Sequence, residues 1–467
     1  MTTFIEHEWN LALPVMQEYI SIPARSPMFD PEWQQTGHLR RAAVLLRDWA
    51  TAQAIAGMTV ELVEADGLTP VLFIEVSATD AALSQRTVLI YGHLDKQPEM
   101  EPWSEGLGPW KPVLRGDRLY GRGGADDGYS VFAAVIAVAC AQSEGRRHGR
   151  VCILIEASEE SSSVHLAQHL ERLFPRIGVA DLVIGLDSFC ESYDRLWTTT
   201  STRGVCGGVL HIDVCADDPH SGRASGVLPS SFRILRELLD RIEDSQSGRV
   251  LLQTANVEIP ANRLDEAAVA AAAFPALSTS FRPVPGVRPM GATPTEELVN
   301  ETWRPALEVI GVDGLPAVAD AGNVFRSRLS VKLSLRIPPT ADVHAVGEEM
   351  RSVLEADPPH GASVRTNVGA RGPGWASPAF EPWLFDAVDG ASSRHWGLPS
   401  ASCGVGGTIP FMGMLGETMP ATQFLLIGVL GPDSNAHGPN EFLHLPTVRR
   451  VTHTVVDVLA AHAERYS

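Results

Sequence analysis

A chain of 467 residues is too long for one ordinary core and calls for two domains, and 44% hydrophobic with 20% charged residues is globular composition. A formal net charge of −19 argues against nucleic acid or an anionic membrane as partner. The six cysteines (Cys140, Cys152, Cys190, Cys206, Cys215, Cys403) form no CxxC pair, and several lie in apolar runs such as VCILIEA, the pattern of buried free thiols in a reducing compartment.

Residues 4–20 predict an amphipathic helix ended by Ile22-Pro23, with acidic residues where a secretory signal would carry basic ones. No apolar run is read as long enough to span a membrane, so the expected location is cytoplasmic. Residues 32–56 predict a second helix, with Leu39, Ala42, Leu45, Leu46 and Trp49 near helical spacing and Gly57 as its stop. Strands follow at 59–64 and 71–76. TVLIYGHLD is then a short apolar run with His93 and Asp95 just past its end. The design recurs three times: RVCILIEASEE ends in Glu159 and Glu160, DLVIGLDS ends in Asp187, and QFLLIGVLGPDSNAHGPNEF leads from a strand to His437. Apolar strands separated by helices predict an α/β domain with a largely parallel sheet. Ligands of such sheets collect beyond the carboxyl ends of the strands, where all of these residues lie.

From about residue 205 the pattern changes. GGVLHIDVCAD alternates like a half-exposed strand. Residues 229–244 predict a helix that starts near Ser230 or Ser231 and presents Phe232, Leu235, Leu238, Leu239 and Ile242 on one face. In SRLSVKLSLRIPP, Leu329, Val331, Leu333, Leu335 and Ile337 face one way, and Ser330, Lys332, Ser334 and Arg336 the other. Helices at 265–274 and 341–355 and a strand at 362–368 complete an antiparallel sheet with helices on one face. ARGPGWASP, residues 370–378, reads as a return linker. The second domain is thus an α+β insertion at 205–378, and the first comprises 1–204 and 379–467.

The chemistry gathers around LYGRGGADDGYS, residues 119–130. A glycine-rich turn at Gly121, Gly123 and Gly124 ends in Asp126 and Asp127, ahead of a long apolar run. Adjacent carboxylates there either cap a helix or face a cation. Together, His93, Asp126, Glu160, Asp187 and His437 offer imidazole and carboxylate without thiolate, a set suited to Zn²⁺, Mn²⁺ or Co²⁺. Five ligands exceed the need of one catalytic zinc. Two ions about 3.5–4 Å apart, sharing one carboxylate and a water, would use them all. Glu159 then has the task of taking a proton from that water and passing it to a leaving amine. Asp95 has that of hydrogen-bonding the His93 imidazole. The plain alternatives are a solvated Glu159 and a turn-forming Asp95. His165 and His169 in HLAQH lack the glutamate of a zinc-protease helix and read as a surface pair. Gly121-Arg122-Gly123 has the wrong spacing for a dinucleotide, and no GxSxG elbow accompanies Ser161–Ser163.

GHLD at 92–95, GRGGADD at 121–127, Glu159-Glu160, Asp187 and NAHGPNE at 435–441 resemble, in order and approximate spacing, the M20 family of dinuclear metallopeptidases. YGHLDKQP and WSEGLGPWKPVLRGDRLYGRG resemble its carnosinase-like, cytosolic non-specific dipeptidase branch. The motifs are weak singly and strong jointly, and the likeness covers nearly the whole chain. It implies a zinc-peptidase catalytic domain with an inserted lid that forms a homodimer. It also implies two divalent ions, Zn²⁺ with Mn²⁺ or Co²⁺ as alternatives. By position, Asp126 would bridge the ions, His93 and Asp187 would complete one site, and Glu160 and His437 the other. Glu159 would be the general base, Asp95 the aspartate behind the ligands, and Asp126–Asp127 a cis peptide. DPHSG places His220 where the family has an oxyanion-stabilising histidine, commonly serving the partner subunit. SLRIPP places Arg336 where an arginine grips a free carboxylate. GVGGTIP, residues 404–410, resembles a loop of substrate donors, here Gly407 and Thr408. Without the resemblance, His220 and Arg336 read as solvated surface. Two departures, Gly128-Tyr129 in place of Lys-Gly and Val405 in place of a polar residue, are expected near the substrate. The implied activity is metal-dependent hydrolysis of the amide bond of dipeptides or similar small substrates with a free carboxylate. The alternatives are an N-acyl-amino-acid amidohydrolase and a silent peptide-binding member; the intact Glu159 and ligand set argue against the latter.

Overall fold

Strands Thr87–His93, Arg150–Glu156 and Leu182–Gly185 are buried on both faces nearly throughout, which places them inside a sheet rather than on its edge. The computed structural model describes residues 3–281, 283–408, 410–419 and 422–466. It divides into two units, Met1–Thr200 with Ser377–Cys403 and Met414–Ser467, and Ser201–Ala376 with Gly404–Gly413. The segment Gly404–Gly413, outside the 205–378 range expected for the insertion, belongs to the second unit. There the Val405 carbonyl accepts from the Arg203 N–H at 3.2 Å, and the Thr408 hydroxyl donates to the Arg203 carbonyl.

The sheet of the first unit runs in the order Met58–Val63, Val71–Val76, Arg150–Glu156, Thr87–His93, Leu182–Gly185, Gln423–Leu426, Trp197–Thr202. Its four central members are mutually parallel, and the flanking strands join antiparallel, so the sheet is mixed with a parallel centre. Parallel pairing puts the ends of these four strands on one edge, where the candidate residues emerge.

Helix Tyr129–Ser143 is buried on almost every side, against helices Phe4–Ser21 and Leu445–Glu464 and the strand Thr87–His93. With its preceding turn, the run Gly124–Ser143 is long and apolar enough to cross a membrane, with mean hydropathy 1.3, which corrects the expectation of no such run. Its window is 94% buried in the fold, as befits a core helix. The helix expected over 32–56 is broken. Gly37 takes φ 67°, a left-handed turn that separates Trp33–Thr36 from His38–Thr51, and the second piece stops well short of Gly57.

The second unit is built on an antiparallel sheet in the order Ala306–Asp313, Arg328–Ile337, Gly204–Asp213, Ser363–Gly372. Leu329, Val331, Leu333, Leu335 and Ile337 form its buried face with Ile234, Leu238, Val346 and Met350 from helices Ser231–Leu239 and Val343–Glu355. Phe232, expected on that face, is 51% exposed, and Ile234 takes its place. The helix ends at Leu239 because Glu243–Asp244 turns into a short hairpin with Arg249–Val250.

Leu333→Ala should lower the stability of the second unit by about 2–5 kcal/mol through the cavity it opens. Lys332→Ala, on the exposed face of the same strand, should stay within about 0.5 kcal/mol. Denaturant midpoints followed by circular dichroism check both.

Candidate metal centre

Four of the five candidate ligands stand at or beyond the ends of the parallel strands of the first unit, and Asp126 comes from the turn after Arg118–Tyr120, a strand of a separate antiparallel sheet. His93 ends its strand, Asp126 lies in the turn Gly124–Gly128, and Glu159 and Glu160 open the single turn Glu159–Ser161. Asp187 follows Leu182–Gly185, and His437 follows Gln423–Leu426 across a loop. The five side chains converge. Asp126 turns Oδ1 to His93 Nε2 at 3.2 Å and Oδ2 to His437 Nε2 at 3.0 Å. His437 Nε2 is also 3.3 Å from Glu160 Oε2, and His93 Nε2 is 3.7 Å from Asp187 Oδ2. The donor atoms of His93, Glu159 and Asp187 lie within 4.8 Å of one another, and so do those of His93, Asp126 and Glu160. The Asp126–Asp127 peptide is cis.

So many acids in one place disturb one another. Burial raises Glu159 well above the usual carboxylate range, and the charges of Asp187 and Glu160 add to it. Asp187 is pushed up to about 7 by burial, with Asp126 and Glu160 contributing. Burial alone would raise Asp126 as well; hydrogen bonds from His437 and His93 outweigh it and hold this carboxyl below its usual range. Burial disfavours charge on His437, but Asp126 and Glu160 outweigh it and lift the imidazole to about 11. Glu160 Oε1 is buried with no hydrogen-bond partner among the described residues. An orphaned buried acceptor costs about 1–3 kcal/mol. An all-oxygen-and-nitrogen donor set, crowded carboxylates and an unsatisfied oxygen fit a divalent cation. His437 remains 56% exposed, which leaves the centre accessible.

The second unit carries the other expected residues. Arg336 is half-buried, with Nη1 3.4 Å from the Thr408 hydroxyl. Around Gly407 there is open space where a Cβ would point. Ile409 of the same loop lies outside the described residues. His220 is exposed in a different turn of this unit, and its Nδ1 accepts the Gly222 N–H at 3.0 Å, so the proton of a neutral ring sits on Nε2.

Residues 89–461 match the profile of peptidase family M20/M25/M40. The chain belongs to this family. It is a metallopeptidase-type hydrolase of the class that uses divalent metals. Among its relatives are the cysteinylglycine-S-conjugate dipeptidase of Corynebacterium striatum and the Beta-Ala-His dipeptidase of Homo sapiens. The first is 26% identical over 393 residues, covering 81% of each chain. The second is 27% identical over 385 residues, covering 80% of this chain and 73% of the relative. The crystal structure of human carnosine dipeptidase 1 shares the fold with a TM-score of 0.77 at 22% identity, covering 99% of this chain and 98% of that one.

In this M20 peptidase the ligand loops are tied together by side chains to which the sequence assigned no such part. Glu441 accepts from the backbone N–H groups of Gly123, Ala125 and Asp126 at 3.0, 3.1 and 3.3 Å. It also pairs with Arg122 at 2.7 Å, and the two side chains are 0% and 1% exposed. Arg122 donates in turn to the Gly438 carbonyl at 2.7 Å and the Pro98 carbonyl at 3.1 Å. A cation inside a glycine turn and an acid inside the His437 motif were the available signals. Asp95 stands beside the His93 ring and also serves a backbone turn. Its own carbonyl faces His93 Nδ1 at 3.1 Å, while its carboxylate, 3.6 Å from that nitrogen, accepts the N–H groups of Glu159 and Glu160 at 3.1 and 3.0 Å. Asp127 Oδ2 accepts the His93 N–H at 3.1 Å, and Gly92 must lack a Cβ because Asp127 Oδ2 would lie 2.5 Å from it. Lys96 Nζ caps helix Phe4–Ser21 on the carbonyls of Tyr19, Ile20 and Ile22. Its stem lies 2.6 Å from where a Cβ on Gly123, at φ 78°, would stand.

Tyr129 is wholly buried with its hydroxyl on the Leu186 carbonyl, and Val405 is buried in strand Ala401–Val405. One expectation changes. His169 is also buried, with Nε2 2.8 Å from the Thr69 carbonyl, and His165 Nδ1 is 3.3 Å from the Thr69 nitrogen. The two rings clasp a loop rather than forming a surface pair.

Arg122→Met leaves Glu441 as a buried carboxylate without its cation and should cost about 3–5 kcal/mol. Adding Glu441→Gln should recover part of this loss, because a neutral amide oxygen still accepts from the same N–H groups. Urea unfolding of the metal-free variants measures both.

Proposed function

We propose that this protein hydrolyses the amide bond of dipeptides and similar small substrates bearing a free carboxylate. The observation that carries the reading is the placing of Asp126, one carboxylate facing both His93 and His437, with Asp187 and Glu160 beside them and Glu159 close at hand. The names of the relatives, dipeptidases for cysteinylglycine S-conjugates and for Beta-Ala-His, support a dipeptide.

His93, Asp126 and Asp187 would hold one divalent ion, and Asp126, Glu160 and His437 a second. Zn²⁺ is the first choice for such ligands, with Mn²⁺ or Co²⁺ as alternatives. Such a pair, when bound, acidifies water and polarises a carbonyl. Glu159 takes the proton of the attacking water and delivers it to the nitrogen that leaves. Its buried, acid-crowded position raises its affinity for that proton. Asp95 supports this task by holding the backbone of the Glu159-Glu160 turn. In the second unit, Arg336 binds the substrate carboxylate as a planar, permanently charged donor, assisted by the Thr408 hydroxyl and the Gly407 N–H. His220, protonated on Nε2, donates to the oxyanion of the tetrahedral intermediate. The protein acts in the cytoplasm as a homodimer formed through the second unit; a sedimentation mass of one chain would remove the dimer.

The deciding experiment offers mixed dipeptides and N-acetyl-amino acids to chelated protein, then again after Zn²⁺, Mn²⁺ or Co²⁺ is restored. Metal-restored release of amino acids from dipeptides is expected. Cleavage confined to the acylated set would move the substrate class to N-acyl-amino acids. Glu159→Ala should lose about 10²–10⁴-fold in kcat while retaining its metal, as elemental analysis would verify. Arg336→Lys should raise KM for dipeptides far more than it lowers kcat, since lysine cannot offer the two-pronged donor.

A further inference from the structure

Strand Leu182–Gly185 stops before Asp187, so the intervening Leu186 lies past the last residue paired in the sheet. Its peptide groups are buried and need partners from elsewhere. The N–H finds the Tyr91 carbonyl at 3.1 Å, on the strand that carries His93. The carbonyl accepts from the Tyr129 hydroxyl, on the first turn of the helix that follows Asp126 and Asp127. A peptide unit is planar, so gripping the Leu186 carbonyl also orients the Asp187 nitrogen, and with it the direction in which the Asp187 side chain departs. That side chain ends 3.7 Å from His93 Nε2.

We propose that Tyr129 is a positioning residue for Asp187: its hydroxyl sets the Leu186–Asp187 peptide and, through it, the carboxylate on the His93 side of the centre. This rests on the two-ion reading of the site. Were packing its only task, a phenylalanine ring would fill the same space; the hydroxyl is directed at the carbonyl of the peptide that leads into Asp187. The remaining ligands have other supports. Asp95 holds the Glu160 backbone, while Arg122 and Glu441 hold the His437 loop. The effect of removing the hydroxyl should therefore fall on one ion.

The test is a titration of the metal-free full chain with Zn²⁺ against a chromophoric chelator. It compares the wild-type protein with Tyr129→Phe, Asp187→Asn and Thr452→Val. Two binding steps are expected for the wild type. Tyr129→Phe should weaken one of them by about 10–100-fold, the usual consequence of losing a partner behind a ligand, and leave the other unchanged. Asp187→Asn should weaken the same step, which identifies it. Thr452→Val removes a buried hydroxyl bonded to Trp9 at 3.0 Å; it should lower the melting temperature but leave both steps intact. Wild-type affinities at both steps in Tyr129→Phe would overturn the proposal. So would equal weakening of both steps, or a matching loss in Thr452→Val. An unfolded Tyr129→Phe would also overturn it, by showing that the hydroxyl holds the fold rather than one ligand. A wild-type chain that binds fewer than two ions would instead bring down the two-ion reading, and this proposal with it.

Discussion

The buried pair of Arg122 and Glu441 is the interaction on which the metal centre depends. Removing two charges from water is costly, and attraction between them seldom suffices unless the remaining donors and acceptors are also satisfied. Here they are: the carboxylate gathers three backbone N–H groups of the glycine turn, and the guanidinium reaches the carbonyls of Gly438 and Pro98. One ion pair thereby joins three loops that are far apart in sequence, bearing His93, Asp126 and His437. Burial favours a neutral Glu441, and the neighbouring Arg122 charge opposes that tendency.

A centre rich in carboxylates has a physical problem before any cation arrives, because its own ligands repel one another. The fold meets this by holding the ligand backbones as well as by pairing Asp126 and Glu160 with imidazoles. Asp95 grips the Glu159-Glu160 turn, Asp127 grips the His93 N–H, and Tyr129 grips the peptide before Asp187. Each of these side chains is buried, so its hydrogen bonds are shielded from water and set geometry firmly. The candidate ligand Glu160 keeps one unsatisfied oxygen, Oε1, among the described residues. The parallel centre of the sheet supplies the common edge for the segments bearing His93, Glu159, Glu160, Asp187 and His437, and the Asp126 turn is brought to it from a separate antiparallel sheet.

Much of this was legible along the chain. Runs such as Thr87–His93 are largely apolar and buried at every position because both faces are covered, and Arg328–Ile337 alternates because one face is. These are local patterns set by burial. The failures have equally local causes. The helix predicted over 32–56 breaks where Gly37 takes a left-handed turn, and Phe232 faces outward because helical spacing tolerates a shift of phase. His169 is buried rather than on the surface, and nothing nearby in sequence announces the Thr69 carbonyl that it meets.

By itself the sequence determined the candidate ligands, the mixed α/β architecture and the membership of a metallopeptidase family, because hydrophobic periodicity and short motifs are properties of neighbouring residues. Only the tertiary structure decided how those ligands are held. It brought the Asp95 carboxylate to a backbone turn as well as to the side of an imidazole, buried Tyr129 against Leu186, and joined Arg122 to Glu441 across the length of the chain. Such pairings are settled by which buried polar groups can find partners once the core has closed, and that is not written in any local stretch of residues.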